Sequence, residues 1–426
     1  MVTGTINLTG ALPVLSSNLN INGPGSGLLT VRRDLGGFYR IFQSSGTSSI
    51  SGLTITNGRT PDGVTEDVAP NGGGILQTGG SLTLRDVVIT GNSTGNGGPM
   101  RFGSPNLGGF GGFGGGIYAS GTLTMTDCVI SNNTTGNGGT GLQSGGSGGR
   151  GAGIFFAPGT LTMTNVVITG NHTGQGGAPG GNSGDAGGMW TGGDFFPAQA
   201  TDVILNKVTI SDNTTATALP NGDSGTGGGI YAYQGTMRLI NSTVKNNHTG
   251  DAPRQAGRGG GIFNSATLTT LNSLISGNST GNNDFGSNNN GGGIASFSSL
   301  TLINTTVSGN STGAQTAGIG GGVFVFNFAT LINCTITGNN TPGDHANGLG
   351  GFGSVITLAN TIVAGNGDSP NDKDLENNLF SAPTFVSQGF NLIGNADGVT
   401  AFKPPEVPAI VEGQLHGGVM QGVGQA

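Results

Sequence analysis

The chain has 426 residues, 90 of them glycine, with 8% charged and 6% aromatic side chains and a formal net charge of −7. That balance, with 14 lysines and arginines, lacks the concentrated positive charge that nucleic acid requires, and no run of 18 apolar residues is present to cross a membrane as a helix. A strict Gly-X-Y period is absent, which excludes collagen, and the recurrent Val, Ile and Thr exclude a disordered chain. Glycine here therefore reads as tight turns and close backbone approaches.

The opening MVTGTINLTG carries neither the basic nor the apolar segment of a secretion signal, so export is expected to use a signal outside this sequence or an unconventional route. From residue 72 one block recurs: GGGILQTGGSLTLRDVVITGNSTG (72–95), GGGIYASGTLTMTDCVISNNTTG (114–136) and GAGIFFAPGTLTMTNVVITGNHTG (151–174). Further copies begin at 227, 259, 291 and 320; a degenerate one spans 187–216, and a shortened one, GSVITLANTIVAGN, spans 353–366. Within each copy, runs such as LTL, LTM and VVI have strand length and are punctuated by Gly, Asn and Ser-Gly turn signals. No segment keeps a 3.6-residue apolar period. Three short strands per copy, none able to bury its apolar face alone, predict a single right-handed parallel β-helix with coils stacked about 4.8 Å apart. The expected division is N-terminal coils or cap (1–60), repeat coils (61–400) and a C-terminal cap or docking tail (401–426).

Two polar positions recur at fixed places in the coil. The turn after the LTL strand holds Asp86, Asp127, Asn165, Lys207, Asn241, Asn272, Asn304, Asn333 and Asn360. Six residues on come Asn92, Asn133, Asn171, Asn213, Asn247, Asn278, Asn310, Asn339 and Asn366. Stacked amides of this kind predict hydrogen-bonded ladders along a solenoid, at backbone positions that tolerate left-handed turns. Asn92 to Asn133 is 41 residues and Asn339 to Asn366 is 27, so the excess must lie in loops ahead of each GGG, forming a glycine-rich layer beside the N-terminal half.

The GGGI…NxxI…GN pattern resembles the repeat of chlamydial polymorphic outer-membrane proteins. It is still more similar to the secreted bacterial β-helix proteins of the CSLREA or choice-of-anchor Q type. GTINLTGALPVLSSNLNINGPGSGLLTV with ISGLTITNG (50–58) looks like their first coils, and TLANTIVAGN (357–366) with SQGFNLIGNADG (387–398) like their closing segment. The resemblance covers roughly residues 3–400. It implies the same fold, export, and an extracellular or cell-surface role in adhesion or matrix. The tail PPEVPAIVEGQLHGGVMQGVGQA departs from the family's usual continuation, and no autotransporter barrel or sorting signal is expected within it.

Parallel β-helices also carry polysaccharide lyases and glycosidases, and glycoside hydrolysis needs paired carboxylates. Asp86 and Asp127 occupy one slot in adjacent coils, with backbones roughly 5 Å apart, and are the catalytic or cation-binding candidates; they equally read as substitutes for turn asparagines. Glu66 and Asp67 read as a solvated turn. Asp368, Asp372, Asp374 and Glu376 form an oxygen-rich segment, but without the spacing of a calcium loop, and GNSGDAGGM (181–189) is only an echo of the calcium nonapeptide. No cofactor is expected, and calcium has no specific motif. His172 and His248 share a slot with one coil between them. Cys128 and Cys334 are six coils apart, on the order of 29 Å, and cannot pair. No GxSxG, HExxH or paired CxxC occurs, and the frequent N-x-S/T sequons follow from the Asn ladder plus Thr.

Two further columns follow from the stacking. Leu76, Tyr118, Phe155, Trp190, Tyr231, Phe263, Ala295 and Phe324 form an aromatic file, read either as a binding face for sugar rings or proteins or as a satellite core under the glycine loops. Thr83, Thr124, Thr162, Thr269, Thr301, Thr330 and Thr357, interrupted by Ile204 and Arg238, form a single file of exposed strand threonines. The leading function is a non-catalytic surface, adhesion or assembly protein whose partners are its own copies, other surface proteins or polysaccharide. A carbohydrate-active enzyme is the runner-up and an ice or mineral binder the third.

Overall fold

Alternation of Thr with Ile, Leu or Val gives each short strand one apolar and one polar face, so the apolar faces must close on one another. In the computed structural model they do so by stacking in register. Ile6, Val31, Ile55, Ile89, Ile130, Ile168, Ile210, Val244, Ile275, Val307, Ile336, Val363 and Ile393 form one continuous column of parallel-paired residues. Twelve steps of about 4.8 Å make a core roughly 58 Å long. The chain is a right-handed parallel β-helix, every named strand pairing in parallel with its counterpart one coil away.

The structure describes residues 2–65, 67–100, 107–193, 201–283, 289–313, 318–342, 345–368, 372–376, 381–397 and 399. Glu66 and the expected tail 401–426 lie outside them. Among the described residues there is no helix, hence none long and apolar enough to cross a membrane. A typical coil has strands Ile230–Ala232, Thr236–Ile240 and Thr243–Lys245, one in each of three sheets.

Turn chemistry explains the two polar slots. All nine residues from Asp86 to Asn360 in the first slot have φ between 47° and 55°, a region where Asn and Asp are tolerated and most residues are strained. Their side chains lie at the surface, and their ladder is interrupted. Asn272 bonds Asn241 (3.2 Å), Asn304 bonds Asn272 (3.0 Å) and Asn360 bonds Asn333 (2.8 Å), but Lys207 breaks the run. The backbone, not an unbroken amide chain, selects these residues.

The second slot is different. Each residue before it is left-handed (Gly91, Asn132, Gly170, Asp212, Asn246), and this turns the following Asn inward. Asn92 through Asn366 are then 0–4% exposed. Asn133 Oδ1 accepts the Asn92 N–H (3.0 Å), its Nδ2 donates to Ile89 O (3.0 Å), and the same Nδ2 reaches Asn171 Oδ1 (3.0 Å). The pattern repeats without a break to Asn366, whose N–H and amide both donate to Asp374 Oδ1, a carboxylate closing the ladder. The GGG motif is its counterpart. Gly114 sits at φ 67°, and a Cβ on Gly116 would lie 3.0 Å from the Asn133 amide and 2.6 Å from Gly153 O.

The inserted loops form a second ordered layer. In coil 136–150 the outgoing arm 136–141 and returning arm 144–150 bond each other through Gly146 N to Gly139 O (2.9 Å) and Gly149 N to Gly136 O (2.8 Å). Gly145 and Gly148 donate instead to Pro179 O and Asn182 O of the next coil. Ser144, Ser147 and Arg150 face outward while the glycine pairs between them are buried, a three-residue period of the polyproline-II kind. These glycines lack positive φ; they are required by proximity, since a Cβ on Gly146 would lie 1.9 Å from Gly109 O.

Two outcomes follow. Asn247→Ala would strip the acceptor from Asn213 N–H and the donor from Ile210 O, and should cost about 3 kcal/mol or more in denaturant unfolding. Gly146→Ala should lower the unfolding midpoint markedly, whereas Gly10→Ala, with nothing within 4 Å of the new Cβ, should leave it nearly unchanged.

Candidate functional site

The aromatic file forms, but as a covered core. Tyr118, Phe155 and Trp190 stack nearly parallel (5.1 and 5.9 Å), Tyr231 meets Trp190 and Phe263 edge-on (4.1 and 4.6 Å), and Phe297 fills the gap left by Ala295 and reaches Phe324 at 5.7 Å. Phe155, Trp190 and Phe324 are at most 2% exposed; Tyr118 and Tyr231 are half-buried. The cover comes from outward residues of the returning glycine arms. Phe113 stacks on Phe155 (5.1 Å), Arg150 lies over Trp190 (5.0 Å) while pairing with Asp185 (3.2 Å), and Arg258 lies over Phe297 (5.2 Å). Burial pushes the Tyr231 hydroxyl well above its ordinary pKa. The reading of these rings as an open binding column is therefore corrected: their faces are occupied by one another and by the arms.

Asp86 and Asp127 do fall in adjacent coils, yet their carboxylates are engaged in different directions. Asp86 accepts Ser26 Oγ (2.7 Å) and Ser26 N (3.2 Å), and Asp127 accepts Asn165 Nδ2 (2.6 Å). Both behave as turn residues at φ 50° and 54°. The acidic segment near 370 is likewise divided. Asp374 closes the inner ladder and also accepts Asn395 N (2.7 Å), while Asp368 accepts Asn340 Nδ2 (2.7 Å). Buried Glu376 faces His345 (3.3 Å), Lys373 (3.4 Å) and Ala346 N (3.0 Å). Desolvation raises its pKa, but those donors outweigh it and hold the carboxyl below its usual value. No three His, Cys, Asp or Glu side chains converge as a metal site among the described residues.

His172 and His248 stand in the file Thr134, His172, Thr214, His248, Ser279, each ring bonded through Nδ1 to the hydroxyl of the next coil. Burial lowers both pKa values, against a smaller opposing effect of Asp251 at His248. Cys128 and Cys334 are free and buried, their thiols pushed up to about 11 by desolvation.

The outer face of the second sheet differs from its sequence reading in width. Ser81, Thr83 and Arg85 register with Thr122, Thr124 and Thr126, and these with Thr160, Thr162 and Thr164, giving three files rather than one. Their eight hydroxyls make no hydrogen bond to described residues. Farther on, the third file turns aliphatic at Ile240, Leu271, Ile303 and Ile332, and Phe328, 64% exposed, enters the first. A further amide row went unread in the sequence. Asn96 and Asn137, on the outgoing arms, accept the N–H of Asn137 and Gln175 (2.9 and 2.8 Å).

No protein-family model, curated protein or solved structure matches the chain.

The histidine file predicts a pH dependence. A histidine whose folded pKa lies below its unfolded value favours unfolding as protons bind. Stability should therefore fall as pH drops from about 7 to 5, the region around the unperturbed value of 6.5. His172→Thr with His248→Thr, which installs the residue already present at Thr134 and Thr214, should flatten that slope in unfolding titrations. Glu376, depressed from 4.5, acts only below that window: its contribution is complete above about 4.5 and is lost in stronger acid.

Proposed function

We propose that the chain is a non-catalytic structural protein of the adhesin type, secreted or held at a bacterial cell surface and related to the CSLREA or choice-of-anchor Q β-helix proteins. The observation that carries this reading is the unbroken inner ladder from Asn92 to Asn366, which makes the chain a stiff rod suited to projecting surfaces away from a cell. The engagement of Asp86 and Asp127 in turn hydrogen bonds supports it, because a hydrolase or lyase would need such groups free to act on substrate. Its partners are copies of itself, other surface proteins or polysaccharide, and it uses no cofactor. The three-file hydroxyl face supports a second reading, a rod that binds an ordered lattice such as ice or mineral. Threonine suits that role because its branched Cβ holds the hydroxyl in few rotamers.

Incubation with a panel of polysaccharides, scoring retained protein and newly released chain ends, separates these readings. Retention without released ends is expected, unchanged in Asp86→Asn and Asp127→Asn. Released ends that vanish in either variant would contradict a structural role. Binding to ice lost in Thr124→Leu would favour the second reading.

A further inference from the structure

The first coils carry a cleft of about 290 Å³ walled by Leu12, Phe38, Ile41, Pro61 and Pro70, with Arg40 at its side. Its walls are fixed. The Tyr39 hydroxyl lies 2.7 Å from both Leu8 O and Leu35 O. Thr60 Oγ1 donates to Pro70 O (2.7 Å) and accepts Gly95 N (2.9 Å). Arg59 N–H donates to Tyr39 O (3.0 Å). The cleft is therefore formed before any ligand arrives, as small-molecule sites commonly are.

Arg40 is the anomaly in it. Its guanidinium meets only neutral acceptors, Gln43 Oε1 at 3.2 Å and Asn71 O at 3.0 Å, and its Nε is buried without any partner. Burial lowers its pKa, and no carboxylate acts to restore it. Arg59 pairs with Asp62 (3.1 Å) and Arg33 donates to Asn57 O (2.8 Å); Arg32 shares a buried, unpartnered Nε but does not line the cleft. A partly buried cation without a counter-charge is costly; the buried Nε is out of a ligand's reach, but Nη1 and Nη2 each keep a second N–H beyond their bonds to Gln43 and Asn71, and those can meet a carboxylate. Among the described residues no acidic side chain lines the cleft to receive an ammonium group. The other walls mix apolar Leu12, Ile41, Pro61 and Pro70 with polar Gln43 and Thr60; Phe38 lies under the guanidinium of Arg59 (4.3 Å), so the proline rings are the surfaces left for the C–H face of a sugar.

We propose that this cleft binds a single uronate unit of an acidic polysaccharide, its carboxylate on Arg40 and its ring against Pro61 and Pro70. The site does not depend on the adhesin reading, and a binding measurement tests it apart from any catalytic assay.

The whole chain would be titrated calorimetrically with galacturonic and glucuronic acid, with the methyl ester of galacturonic acid and galactose as neutral controls. N-acetylglycine serves as the probe for a peptide carboxyl terminus. Uronates should bind at least tenfold more tightly than the ester or galactose, and the binding should weaken with salt. Arg40→Gln should lose at least tenfold in affinity while its unfolding midpoint holds or rises, since an uncompensated charge is removed. Arg40→Lys keeps the charge but not the fork, and should also bind less well. Equal binding of ester and acid, or undiminished binding by Arg40→Gln, would overturn the proposal. So would N-acetylglycine binding where uronates do not, which would assign the cleft to a peptide terminus. A lowered midpoint in Arg40→Gln with unaltered uronate affinity in Arg40→Lys would make Arg40 a structural residue instead.

Discussion

One side-chain amide per coil governs the architecture. The inner asparagine accepts an N–H and donates to a carbonyl of the preceding coil at the turn where strand pairing stops, and passes a further bond to the next amide. Buried backbone groups left unpaired there would each cost about 1–3 kcal/mol, so the requirement recurs at every level of the stack. Its consequences reach the residues around it. The left-handed Gly, Asn or Asp just before each Asn turns it inward, and the third glycine of GGG leaves room for its amide. At the last position a carboxylate, Asp374, serves as final acceptor.

The glycine arms extend the same logic outward. Because coils rise by one strand spacing, loops leaving the same corner stack as closely as the strands do. Backbones packed that tightly against neighbours on two sides admit no Cβ, and the outward third residue alone is free to vary. Those outward residues, Phe113, Arg150, Asp185 and Arg258 among them, close over the aromatic file. The layer thus turns what would be a binding face into a second core and leaves surface chemistry to the hydroxyl face and the cleft at the first coils.

Much of this was legible in the chain. A constant six-residue offset within copies of unequal length placed Asn92 through Asn366 in one file, and the file is continuous. Burial of Phe155, Trp190 and Phe324 was not decidable from strand alternation, because alternation gives direction and says nothing of what a loop lays over the face. A local signal existed: SGGSGGR and LGGFGGF carry a three-residue period confined to the inserts. Asp86 and Asp127 looked like a pair because ladder position fixes backbone spacing, whereas Ser26 and Asn165, which draw their carboxylates apart, come from other coils. Arg40 gave no signal at all, since an arginine without a counter-charge is a property of its surroundings and not of its neighbours in sequence.

The account stands on the inserts being an ordered layer bound coil to coil and not loose loops. Amide hydrogen exchange over residues 136–149 of the native chain tests this most directly. The structure predicts that Gly138, Gly145, Gly146 and Gly148, whose N–H groups donate to neighbouring arms, exchange as slowly as amides of the strands beneath them. Exchange at the rate of an unstructured glycine-rich peptide would show that the layer does not hold, and with it would fall the burial of the aromatic file.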